Sequence, residues 1–229
     1  TGTLRPGIPI APCEGDAGTG MAATNSVRVR TGNVSAGTST FAMLVLERGL
    51  KKLHREIDMV TTPTGYPVAM SHANNGTTDL NAWVKIFAEF CELMGVKAGT
   101  GELFEKLYKH SLEGDADCGG LISFNYLSGE SITKQPEGVP LFLRSRESRL
   151  TFENFARNLL SGALCTLRCG YDLLAQEQVQ LDAFYGHGGF FNVFAGFRRS
   201  VAAGVFGGAC VCRQSADNDC ARPCRSGRI

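Results

Sequence analysis

Neither sign of charge dominates this sequence. Twenty-three lysines and arginines face 22 aspartates and glutamates, for a formal charge of +1. Without a basic field there is no electrostatic footprint for nucleic acid or another polyanion. Long hydrophobic runs are also missing: none reaches the ~18 residues that a membrane-spanning helix requires. No charged-then-apolar leader opens the chain, so no signal peptide is read. A start on Thr1 is that expected of a fragment or a processed product. No internal repeat is present.

What remains is an ordinary globular composition, 229 residues with 43% hydrophobic and 20% charged, enough for a sizeable core in one large domain or two small ones. Five of the nine cysteines (Cys13, Cys91, Cys118, Cys165, Cys169) are scattered, several at apolar positions. They are expected to be buried reduced thiols of a cytoplasmic protein. The other four, Cys210, Cys212, Cys220 and Cys224, crowd the end. Cys-x-Cys and Cys-x3-Cys could supply four thiolates to a metal, but the usual Cys-x2-Cys spacing and a flanking histidine are absent. The residues from 192 to 229 are therefore expected to be an atypical tail, disordered or out of the original reading frame.

Periodicity organises the rest. Ile8 to Pro12 reads as a buried apolar strand, followed by a glycine-rich turn and a short helix around Met21 to Asn25. Two strands, Val27 to Ser35 and Phe41 to Leu46, join at Gly37-Thr38. Pro67 to Met70 is a further short strand. Leu80, Trp83, Val84, Phe87, Phe90, Cys91 and Met94 recur at three- and four-residue spacing, an amphipathic helix capped near Thr78 or Asp79 and stopped by Gly95. Leu103 to Tyr108 marks a second helix, and strands are expected over 119–126, 139–143 and 179–185. Thr151 can cap the longest helix, in which Gly162 and Gly170 either weaken the helix or allow close packing. The alternation of strands and helices makes the class α/β with a partly antiparallel sheet.

Three glycine-bearing segments carry the chemistry. Gly15-Asp16-Ala17-Gly18-Thr19-Gly20 places one carboxylate at a turn, where it can serve as a general base or simply cap the next helix. The order Gly-x-x-Gly-x-Gly, with no acid ~20 residues on, is not a dinucleotide fingerprint. Gly37-Thr38 can offer backbone N–H groups and a hydroxyl to phosphate oxygens, or be a plain hairpin turn. Gly188-Gly189, beside His187, can let a planar base approach the backbone, or be a turn. Asn74-Asn75-Gly76 is a turn signal with no chemistry assigned.

In order and spacing these segments resemble the C-terminal, nucleotide-binding half of the FGGY carbohydrate kinases. The match covers residues 1–191: Gly15-Asp16 through Ala22, Gly37-Thr38-Ser39, Asp117-Cys118-Gly119-Gly120-Leu121 and Gly186-His187-Gly188-Gly189. The resemblance implies an actin/hexokinase-like (ribonuclease H-like) ATPase domain, a mixed sheet with flanking helices, here incomplete. It implies ATP and Mg²⁺ as cofactors and a small sugar, a pentulose such as ribulose or xylulose, as substrate. Asp16 would be the catalytic base, Gly37 and Thr38 would bind phosphate, and Gly119, Gly188 and Gly189 would lie at the nucleotide. The family's Asp-x-Gly-Thr loop and its Ala-Gly-Glu-Gly-Gly segment are absent, so one half-site is expected, inactive alone, with a homodimer left open. The competing class is a non-catalytic actin-like module that binds a nucleotide or a partner.

Overall fold

Alternating side chains decide how the sheet is buried. In β2 (Thr40–Val45), Ala42 and Leu44 join one hydrophobic cluster, while Met43 and Val45 join another on the opposite face. In β4 (Pro67–Ala73), Ala69 and Ala73 go with the first cluster and Val68 with the second. A sheet apolar on both faces must be covered on both. The larger cluster is covered by α2 (Thr78–Leu93), α3 (Thr100–Ser111) and α4 (Phe152–Gln176), the smaller by α1 (Asp16–Ala23).

The computed structural model describes residues 2, 5–10, 15–192 and 210–212. With β1 (Thr31–Ala36), β3 (Asp58–Thr61), β7 (Ala183–His187) and β8 (Cys210–Cys212), β2 and β4 form one sheet in the order β3-β4-β2-β1-β7-β8. The strands from β3 to β1 pair antiparallel, and β1, β7 and β8 run parallel. A separate hairpin joins β5 (Ile122–Phe124) and β6 (Leu141–Leu143), and α5 (Gly189–Asn192) follows β7. Beyond Asn192 the described residues are those of β8; the remainder of the 192–229 tail, Cys220 and Cys224 included, lies outside the described residues.

Several expected elements change. Residues 8–10 form no strand, and Ile8 and Ile10 are exposed; Pro9 also has no N–H to give a ladder. Residues 11–14, Cys13 included, lie outside the described residues. The strand expected over 119–126 shrinks to β5, because Cys118, Gly119 and Gly120 all take positive φ and coil into a 3₁₀ turn. β7 begins at 183 rather than 179. Gln178 (φ 61) ends α4 in the left-handed region, and the Val179 N–H donates to Leu174 O as part of that cap. In α2 the inner stripe stops early: Leu80 and Val84 are buried, but Phe90 and Met94 are exposed. Of the four described scattered cysteines, all free, Cys118 is buried while Cys165 and Cys169 are exposed, against the expectation of burial. Gly162 and Gly170 serve close packing: a Cβ on Gly162 would stand 2.8 Å from Ser123 Oγ, and Gly170 abuts Ser71 and Ile57.

Candidate functional site

The carboxyl ends of β1 and β7 gather the glycine turns. Ser35 pairs with His187, so the Gly37–Ser39 turn and Gly188 leave the sheet side by side. Gly188 has φ +94, and a Cβ there would lie 2.8 Å from Ala36 O, so no larger residue fits. A third turn joins them. Gly76 N–H donates to Thr38 O at 2.8 Å, and the Thr77 N–H and hydroxyl donate to Gly37 O at 2.9 and 3.0 Å. The Gly37 N–H is used within its turn by Ser39 O. Thr38 is exposed, and among the described residues its N–H and hydroxyl have no partner, which leaves both for an incoming oxygen acceptor.

Behind these turns lies a cavity of about 210 Å³ lined by Gly37, Thr77, Asn81, Phe104, Tyr108 and Phe190, among others. The rings of Tyr108 and Phe190 meet edge-on, 5.6 Å apart. Burial pushes the Tyr108 phenol well above its usual pKa, so it stays protonated. Below the ~300 Å³ lower end of complete ligand pockets, such a space takes part of a ligand, such as a flat ring.

The turn at 74–77 is held from below by a buried acid. Glu130 is wholly inaccessible and accepts from the Asn74 N–H, the Asn75 N–H and Asn75 Nδ2 at 3.1–3.2 Å. Asn125 Nδ2 donates to the Asn75 and Gly76 carbonyls, and the Ser128 N–H donates to Asn75 Oδ1. A buried carboxylate is tolerable only when satisfied in this way. Sequence reading missed Thr77, Asn81, Phe104, Tyr108, Phe190 and Glu130. The Asn-Asn-Gly turn was the one visible signal, and its partner at 130 is brought up only by the fold.

Asp16 is the first residue of α1, its carboxylate exposed and accepting the Ala17 N–H at 2.8 Å. One turn on, Gly20 lies against the His187 imidazole, where a Cβ would be 2.8 Å from Cε1. His187 and Asn33 share a 3.1 Å hydrogen bond. The chain then returns to Arg30, whose N–H donates to Val45 O at the far end of β1. α1 therefore packs over β1, with Gly20 against the end of β7 that leads into Gly188. Gly37, Thr38, Gly188 and Gly189 thus follow the carboxyl ends of β1 and β7, and Asp16 lies one helical turn before Gly20, which packs on that end. Gly119 (φ +64) does not line the cavity; it packs on Asn154 and the Arg149 carbonyl at the start of α4.

The sequence profile of the FGGY family of carbohydrate kinases, C-terminal domain, matches residues 32–203. No curated protein matches the sequence. Among solved structures, the chain is similar to a xylulose kinase from Bifidobacterium adolescentis (21% identity, TM-score 0.67), covering 88% of this chain and 37% of that one. A ligand-bound xylulose kinase from Lactobacillus acidophilus gives 17% and 0.62, over 86% of this chain and 38% of that one. Plasmodium falciparum glycerol kinase with ADP gives 12% and 0.65, over 90% and 39%. The chain thus spans less than two-fifths of the length of these structures. At such identities the likeness shows the fold, an actin/hexokinase-like ATPase domain with a mixed sheet and flanking helices.

Proposed function

Because the chain belongs to the FGGY family of carbohydrate kinases, we propose that it supplies the ATP-binding half and the catalytic base of a kinase acting on a sugar hydroxyl, with a pentulose such as xylulose or ribulose as substrate. What supports this reading is a Thr38 N–H and hydroxyl with no partner among the described residues next to a ring-walled cavity, with an exposed carboxylate, Asp16, at the start of the helix that packs on His187. MgATP, when bound, supplies the transferable phosphoryl group.

The residues of the chain divide the remaining work. The cavity, with Tyr108 and Phe190 as its walls, fits the flat base of the nucleotide. Gly188 and Gly189 let the adenosine approach the backbone closely. The Thr38 N–H and hydroxyl donate to phosphate oxygens, as preorganised donors do at developing charge. Asp16 takes the proton of the sugar hydroxyl as that oxygen bonds to the terminal phosphorus and ADP departs with the bridging oxygen. Phosphoryl transfer relies mostly on positioning and charge stabilisation, so a half-site alone is expected to be inactive. Gly119 is left with the structural task of turning the chain ahead of β5, packed against the start of α4.

In the full-length protein, Asp16→Asn is expected to lower kcat by ~10²–10⁴-fold while leaving ATP affinity within a few-fold. Turnover near wild type would remove Asp16 from the base role.

A further inference from the structure

A second cavity lies away from the glycine turns, between α4 and the segment 116–126. Its volume is about 630 Å³, within the ~300–1,000 Å³ of small-molecule sites. It shares no lining residue with the cavity of the nucleotide reading. Arg157, Ser161, Cys165, Arg168 and Cys169 of α4 line it. Their spacing of three and four residues makes one face of the helix. Opposite stand Leu121, Phe124 and Tyr126.

The charges in this cavity are not equivalent. Arg168 is paired with Asp172 at 2.6 Å and lies over the Tyr171 ring. Asp117 is paired with Arg149 at 3.1 Å. Arg157 is half-buried, and its one hydrogen bond among the described residues runs from Nη1 to the Ser111 carbonyl at 3.4 Å. No described carboxylate lies within ion-pair distance of it. Asp115, a carboxylate whose charge it feels, is already paired with Arg149 at 2.9 Å, so the planar fork of this partly desolvated guanidinium can still take a carboxylate.

We propose that this cavity is a second ligand site, for a small organic acid whose carboxylate pairs with Arg157 and whose apolar body lies along Leu121, Phe124 and Tyr126. The site is independent of the kinase reading, since it uses none of that reading's residues. The exposed Cys165 and Cys169 thiols on its wall report occupancy, because a bound acid covers them.

The test titrates the chain with 2-naphthoate and with its neutral analogue 2-naphthalenemethanol. Binding is followed by calorimetry, and iodoacetamide labelling of each cysteine by mass spectrometry. The acid is expected to bind about ten- to a hundredfold more tightly than the alcohol, the range of a hydrogen bond to a charged group. It is expected to slow labelling of Cys165 and Cys169 but not of Cys91 on α2. Arg157→Met abolishes the preference for the acid, and Arg157→Lys, which keeps the charge and serves as the control for folding, retains part of it. Equal binding of acid and alcohol, equal protection of Cys91, or protection that survives in Arg157→Met would overturn the proposal, as would no protection at all.

Discussion

His187 sits against α1 with its imidazole under Gly20, and burial lowers its pKa below the ordinary 6.5. As pH falls through about 6.5, the unfolded chain takes up a proton that the folded chain resists, so the neutral imidazole favours folding fully above that pH and progressively less below it. Glu177, held below the ordinary 4.5 first by its hydrogen bond to His54, loses its contribution only at more acid pH. Replacing His187 with Gln should therefore flatten the dependence of the thermal midpoint on pH between about 5 and 7; unchanged slopes in the two proteins would contradict this. Single residues were unevenly legible in the sequence. Asp16 stood out because glycines isolate it, and the glycines at 37 and 188 because they end apolar runs. Glu130 did not: in Ser128-Gly129-Glu130-Ser131 it reads as solvated loop, and its burial comes from a turn more than fifty residues away.

At the scale of elements, the long helix was the clearest. Thr151 accepts the Asn154 N–H at 3.2 Å, as its place before an apolar periodic run predicts. Thr151→Ala should cost ~1 kcal/mol of stability, within the 0.5–2 range of such caps, read as a lower urea midpoint at unchanged m-value; no change in midpoint would show that the cap contributes nothing. Elements whose limits are set by backbone handedness were harder to read. The positive φ of Cys118 and Gln178 truncates one expected strand and delays another, and neither residue type signals it. Pairing at a distance hid β3 altogether, since its burial pattern is largely exposed and its identity rests on β4.

For the whole molecule, the sheet separates two tasks. One face carries α1 and with it Asp16; the other carries the helices that wall the ring-lined cavity, and the two meet at the edge where Gly37 and Gly188 turn. Among the described residues no helix is long and apolar enough to cross a membrane. The class of fold followed from strand and helix alternation, but the site did not, because aromatic residues at 104, 108 and 190 converge only in three dimensions. Calorimetric titration of the chain with MgATP, beside Asn81→Trp at the exposed rim of that cavity, tests the central claim most directly. Saturable one-to-one binding, weakened about tenfold or more (at least ~1.4 kcal/mol) by the tryptophan, is the predicted result. No binding, or equal affinity in the two proteins, would contradict it.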